Sequence, residues 1–356
     1  MTVPVTAPMK DILKTLVHDP AKFTPEDAGQ AINEIMKGSA THSQISAFLV
    51  ALRLQHKDSD PAIVAACAKA MQNHARLIPY EHYEHLVGNI VDIVGTGGDG
   101  HDTYNVSTTA SIVAAGAGAK VAKHGNRAAS SKSGSADIME AHGCHISKVE
   151  PAQVPHILEQ TNFCFLFSQT YHPAMKHVAA LRKEIGVPTV FNLLGPMSNP
   201  AKPSRVVVGV HSPQIGSLMA NALKLTGIQE ILVVCGAEKL DEISPAGETH
   251  YWRVQGGGEI LTGTLHPTRD FGLPTHPLSE VKGGDGAHNA EILRKLLNDE
   301  LPENDSILDF VLLNAAALLV VGGIATDFKD GIAKARESIR SGSANRVLAA
   351  FRAMTQ

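Results

Sequence analysis

Four glycines fall within the six residues Gly95-Thr96-Gly97-Gly98-Asp99-Gly100, directly after the apolar run Asn89 to Val94. Glycine lets backbone amides crowd an anion with no Cβ in the way, so the pattern reads as a strand ending in a phosphate-binding loop. Downstream, Asn105-Val106-Ser107-Thr108 offers helix-capping side chains, and the small residues Thr109 to Gly118 are expected to form the helix whose N-terminus faces the phosphates. The chemistry implied is binding of a phosphorylated small molecule.

Gly95, Gly97 and Gly100 also satisfy G-x-G-x-x-G, the dinucleotide fingerprint. That fold asks for an acidic residue about 20 positions on to hold the ribose, yet Thr103 to Ala136 contains none and carries Lys120, Lys123, His124, Arg127 and Lys132 instead. Such a segment suits a ligand with several phosphates, a phosphorylated dinucleotide being the alternative. A P-loop fails because His101 stands where the lysine is needed. A purely structural turn does not call for four glycines, capping residues and a basic return segment together.

Asp99 sits oddly beside phosphates, which a carboxylate repels unless a cation or donor intervenes. It either caps the loop by accepting backbone N–H groups or orders a ribose hydroxyl or a metal-bound water. Asp241-Glu242, within Glu238 to Ser244, follows a related logic. Magnesium is usually held by one or two carboxylates plus substrate phosphates. Adjacent acids on a solvated loop are common, and the glycine loop gives this pair its weight. The donor-rich segment Lys123 to Asp137 could be a solvated linker, but it leaves a strand beside the glycine loop and is expected to bind.

The elements that must position these residues are legible from local signals. Through about residue 75 the chain reads as helical: Thr24-Pro25-Glu26-Asp27 opens one helix, Thr41-His42-Ser43-Gln44 is a capping box for the next, and Ser59-Asp60-Pro61 begins another. These short helices make a thin core and need the rest of the chain, or a second copy, to pack on. From Asn89, β-branched runs alternate with small-residue helices. Strands are expected at Asn89 to Val94, Ala119 to Ala122, Val206 to Val210 and Ile231 to Cys235, with a shorter one at Thr189-Val190-Phe191. Alternation of that kind implies an α/β fold with a mostly parallel sheet flanked by helices, its ligands at the carboxyl ends of the strands. Gly256 to Gly258 and Gly283 to Gly286 read as turns.

Composition excludes other classes. The 356 residues suffice for a full core, and a net charge of −4 with no basic block argues against nucleic acid as the partner. The start Met1 to Pro8 lacks the apolar core of a signal peptide, and the run Val311 to Val321 is too short to span a bilayer and reads as a buried helix, so a cytoplasmic protein with no membrane partner is expected. Cys67, Cys144, Cys164 and Cys235 are scattered and expected to be reduced and buried. Among 18 histidines, His82 and His85 lack the companion ligands of a zinc site.

Six segments in order carry a resemblance: Gly95 to Gly100, Asn105 to Thr108, Lys123-His124-Gly125-Asn126-Arg127, Ser133 to Asp137, Asn192-Leu193-Leu194-Gly195-Pro196 and Leu240 to Ser244. Together, and over nearly the whole chain, they resemble the anthranilate phosphoribosyltransferases. The resemblance implies transfer of the 5-phosphoribosyl group from phosphoribosyl pyrophosphate to the amine of anthranilate in tryptophan biosynthesis. It implies magnesium, two ions per subunit, and a homodimer formed through the helical parts. The implied organisation is a helical domain over residues 1–78, joined by helices near 171–187, and an α/β domain over 79–356.

By the same resemblance, Gly95, Thr96, Gly97, Gly98, Asp99, Thr103, Asn105, Ser107, Thr108, Lys123 and Ser135 would hold phosphoribosyl pyrophosphate. Ser107, Asp241 and Glu242 would hold metal. Gly95, His124, Asn126, Met175 and Arg182 would face anthranilate, Arg182 as the carboxylate clamp rather than a surface partner of Glu184 or Glu159. No protein nucleophile is required. The chain departs from the pattern at His101-Asp102 and at His142. A pyrimidine nucleoside phosphorylase and a nucleic-acid-binding relative are the rival readings.

Overall fold

The computed structural model describes residues 8–128 and 132–356, so Met1 to Ala7 and, within the donor-rich segment, Ala129 to Ser131 lie outside the described residues. The chain begins with α1 (Met9–His18), α2 (Pro25–Lys37), α3 (His42–Leu54) and α4 (Pro61–Asn73). Thr24 and Thr41 close capping boxes with Asp27 and Gln44, and Asp60 accepts the Ala62 N–H, so each of these three helices starts where its local sequence says.

The sheet is built from β1 (Ile90–Gly95), β2 (Lys120–Gly125), β3 (Phe163–Phe167), β4 (Arg205–Gly209), β5 (Glu230–Gly236), β6 (Thr249–Val254) and β7 (Leu261–Leu265) in the order β3-β2-β1-β4-β5-β6-β7. The first five in that order run parallel, and β6 and β7 add an antiparallel hairpin turning through Gly256 to Gly258. Alternate residues serve two cores. Val207, Leu232 and Val234 pack with α5 (Val106–Gly116) and the helix Ser306–Val321, whereas Val206, Val208, Ile231 and Val233 share a core with α2, α3 and α4. The helix Ala179–Ile185 packs on α3, so a segment from mid-chain joins the N-terminal helices.

Two expectations need correction, and one strand carried no sequence signal. Thr189-Val190-Phe191 is not a strand. The Asn192 carbonyl-oxygen side chain accepts the Thr189 N–H at 3.0 Å, Val190 is helical, and a helical turn Phe191–Leu194 follows. The helix after the glycine loop starts at Val106 and ends at Gly116, and no side chain caps it, because the Asn105 amide is engaged elsewhere. β3 went unread because Phe163-Cys164-Phe165-Leu166-Phe167 is wholly buried and shows no alternation. The four cysteines are free and buried, and no helix among the described residues is long and apolar enough to cross a membrane.

Candidate active site

Adjacent parallel strands deliver their carboxyl ends side by side: Gly95 from β1, Lys123 to Gly125 from β2 and Gly209 from β4. After β5 the chain turns and lays Asp241 across the β1 and β4 ends. A Cβ on Gly95 would collide with the Asp241 carboxylate, and one on Gly209 with the Asp241 backbone carbonyl. Glycine at both strand ends is therefore a condition for the loop to seat.

The Gly97 N–H donates to Asp241 Oδ2 at 2.6 Å, and the Thr96 N–H to the Gly209 carbonyl at 2.9 Å. Gly97, Gly98 and Gly100 have φ of 71°, 82° and 77°, the left-handed backbone that lets successive amides turn to one side. Asp99 Oδ1 accepts the His101 N–H at 3.0 Å, so it does cap its own loop. His101 Nε2 in turn donates to the Glu238 carbonyl at 2.9 Å, tying the glycine loop to the carboxylate loop.

Asp241 and Glu242 are each only 9% exposed. Burial, then the neighbouring Asp99 charge, pushes Asp241 up to about 7 against the stabilising Gly97 N–H. Burial and then Asp241 hold Glu242 well above the usual carboxylate range, with Lys123 and a Ser107 hydrogen bond opposing. Two adjacent, mutually repelling carboxylates suit a hard divalent cation, which would relieve the repulsion.

Lys123 is buried, and its Nζ donates to the Ile93 carbonyl at 2.7 Å and to Ser107 Oγ at 3.3 Å. Burial lowers its pKa while Asp92 and Glu242 favour its charge. Burial raises Asp92, behind it, to about 6; Asp92 Oδ2 accepts Asn199 Nδ2 at 2.7 Å.

Asn105 Oδ1 accepts Asn289 Nδ2 at 2.8 Å and Ser133 Oγ at 3.1 Å, and its Nδ2 donates to the Ser133 carbonyl at 3.0 Å. The α5 N-terminus thus keeps its dipole uncapped by a side chain, as an anion site requires. Thr108 Oγ1 is buried and has no hydrogen-bond partner among the described residues. Thr103 is bridged to Lys282 ahead of the turn Gly283 to Asp285, which caps the helix Gly286–Leu297, and its carbonyl lies against Gly283 beside the Asn289 amide that bonds Asn105. Beyond β2, Ser135 Oγ accepts the Asn126 N–H at 3.1 Å, and Asp137 Oδ2 accepts the N–H groups of Ala128 at 2.9 Å and Gly134 at 2.7 Å, tying both of these residues to α6 (Ser135–Ala141).

His124 is buried and its ring centre lies 5.1 Å from that of His172. The Gly195 backbone lies beside the His124 ring and the Ser198 backbone beside the His172 ring, while both Nε2 atoms lack partners among the described residues. A ring that carries its proton on Nδ1 leaves that Nε2 as a free acceptor. Burial drives His124 well below the usual histidine value and His172 to about 4. The segment Asn192 to Asn199 supplies the backbone beside both rings, a purpose hidden in the sequence. His172 was missed there because an isolated histidine before proline carries no pattern. The Met175 N–H bonds to the His172 carbonyl at 3.0 Å, which places Met175 next to the pair. Arg182, on the helix Ala179–Ile185, pairs with neither Glu184 nor Glu159. Its guanidinium lies 5.6 Å from the Phe191 ring centre, and Glu159 bonds His85 instead.

Two family models cover the chain: the helical bundle domain of a glycosyl transferase family over residues 10–75 and the a/b domain of that family over residues 87–345. The anthranilate phosphoribosyltransferase of Schizosaccharomyces pombe is 42% identical over 348 residues, 97% of each chain. That of Methanosphaerula palustris is 45% identical, covering 89% of this chain and 90% of its own. The enzyme from Saccharomyces cerevisiae, solved in complex with PRPP and Mg, superposes with a TM-score of 0.89 at 35% identity, covering 98% of this chain and 97% of its own. The enzyme from Thermus thermophilus gives 0.87 at 39% identity, covering 97% and 99%. On identity, coverage and fold together, this chain belongs to the anthranilate phosphoribosyltransferase family.

Proposed function

We propose that the chain transfers the 5-phosphoribosyl group of phosphoribosyl pyrophosphate to the amine of anthranilate, releasing pyrophosphate, as a cytoplasmic step of tryptophan biosynthesis. The observation that carries this reading is the seating of the buried Asp241-Glu242 pair under the glycine loop at the β1 end. Residues Gly95 to Asp99, the α5 N-terminus with Asn105, Ser107 and Thr108, and the flanking Thr103, Lys123 and Ser135 hold the phosphoribosyl pyrophosphate. Ser107, Asp241 and Glu242 hold magnesium, two ions per subunit, which supplies charge neutralisation to the pyrophosphate. The loop amides and α5 stabilise the negative charge that grows on the leaving group.

On the acceptor side the amine of anthranilate is already neutral, so the protein's task is to aim it. Positioning of this kind can supply up to about 7 to 11 kcal/mol of a barrier. Arg182 clamps the ring carboxylate, and His124, Asn126, Met175 and Gly95 form the rest of the acceptor side. With its proton on Nδ1, His124 can accept an amine N–H at Nε2. Residues 1–78 with helices near 171–187 form the helical domain, 79–356 the α/β domain, and two copies meet through the helical parts.

The test is loss of anthranilate fluorescence with phosphoribosyl pyrophosphate and magnesium, run beside phosphorolysis of a pyrimidine nucleoside. Magnesium-dependent anthranilate consumption is expected. Phosphorolysis without anthranilate consumption would overturn the reading.

A further inference from the structure

Asn314 stands in the middle of the helix Ser306–Val321, where its neighbours from Phe310 to Leu319 are all buried and otherwise apolar. An amide there is costly unless fully bonded, and its own surface exposure is 0%. All of its bonds go to backbone. Oδ1 accepts the Ile243 N–H at 3.1 Å, and Nδ2 donates to the Ile243 carbonyl at 3.3 Å and to the Phe310 carbonyl at 3.0 Å. Ile243 directly follows Asp241 and Glu242. Without Asn314, both polar groups of a buried peptide would be left unpaired.

We propose that Asn314 is a positioning residue that sets the height and direction of the Asp241-Glu242 carboxylates by reading both backbone groups of Ile243. The proposal rests on the metal-holding role assigned above to those carboxylates. The loop is also pinned on both sides of that point, upstream by the Gly236 N–H to the Leu240 carbonyl at 2.8 Å and downstream by the Ser244 N–H to Thr249 Oγ1 at 2.9 Å and the His276 N–H to the Pro245 carbonyl at 2.8 Å. The carboxylates themselves bond the glycine loop at Gly97 and the first turn of α5 at Ser107. Asn314 is the side chain that ties the residue directly after the carboxylates to the buried helix Ser306–Val321. Outer partners that orient metal ligands typically contribute 10- to 100-fold in affinity.

Asn314→Leu removes the amide at nearly constant volume, and Leu318→Ala, one turn on in the same helix, provides a destabilised comparison that leaves Ile243 its partner. Binding of magnesium pyrophosphate would be followed by calorimetry, and anthranilate KM in turnover. Asn314→Leu is expected to weaken magnesium pyrophosphate roughly 10- to 100-fold with anthranilate KM within about twofold, while Leu318→Ala, at a similar loss of Tm, leaves binding near wild type. Equal weakening in both variants, or unchanged binding in Asn314→Leu, would overturn the proposal. Hydrogen exchange on the unmodified protein keeps the test open if Asn314→Leu does not fold. The Ile243 amide should be protected to the level of the helix core, and exchange at the rate of exposed loop amides would contradict the bond itself. A wild-type chain that binds no magnesium pyrophosphate but protects Ile243 would instead count against the proposed function.

Discussion

Arg182 has a positive charge and no carboxylate of its own chain to meet among the described residues; it lies over Phe191, with the Asn192 amide at 3.5 Å. Burial weakens its proton affinity, a cost that an incoming carboxylate would offset. A bidentate arginine–carboxylate contact contributes about 1.5 to 3 kcal/mol. Arg182→Ala is expected to raise anthranilate KM roughly 10- to 150-fold and to leave KM for phosphoribosyl pyrophosphate near wild type in steady-state kinetics. His172 makes a prediction about stability. Its folded pKa near 4 lies below the ordinary histidine value, so between those two pH values the unfolded chain binds a proton that the folded chain refuses. Stability is fully present above about pH 6.5, falls as pH drops through that window, and levels off below 4, by about 3 kcal/mol at most. Denaturant unfolding from pH 7 to 4 should show a shallower loss for His172→Asn than for wild type. At this scale the sequence disclosed residues whose chemistry is intrinsic, such as a run of glycines or adjacent carboxylates. It was silent on His172 and on Asn314, whose meaning depends on the backbone they meet across the fold.

Elements became legible in proportion to how local their causes are. Thr24 bonds the Asp27 N–H at 3.2 Å and Asp27 returns the favour to the Thr24 N–H at 3.0 Å, a device contained in four residues. Thr24→Ala should lower stability by about 1 kcal/mol in urea unfolding without changing either KM, since α2 carries no proposed site residue. The same logic misleads at α5. Asn105 occupies the capping position, yet its amide joins Ser133 and Asn289, 28 and 184 residues away, and the helix N-terminus stays open. β3 is read only once its neighbours are known, because a strand buried on both faces shows no period of two. At Thr189 to Phe191, β-branched residues suggested a strand, but the Asn192 side chain captured the Thr189 N–H and turned the chain.

Over the whole molecule, the sheet order places the β1, β2 and β4 ends together and leaves the N-terminal helices with an uncovered apolar rim. Val17 on α1 is 50% exposed, Val50 and Leu54 on α3 are 38% and 72% exposed, and Val187 after the helix packed on α3 is 50% exposed. Burial of such a rim against a second copy is the homodimer proposed above. Sedimentation should give twice the chain mass, and Leu54→Glu should shift it toward the monomer. The chemistry of the strand ends is tested by anthranilate fluorescence decay with phosphoribosyl pyrophosphate and magnesium for wild type against Asp241→Ala combined with Glu242→Ala. Loss of Glu242 takes a counter-charge from the buried Lys123 while loss of the pair relieves its own repulsion, so both proteins are compared below the Tm measured for each. Magnesium-dependent decay in wild type and none in the folded double variant is the predicted result; decay at an undiminished rate in the double variant would contradict the account.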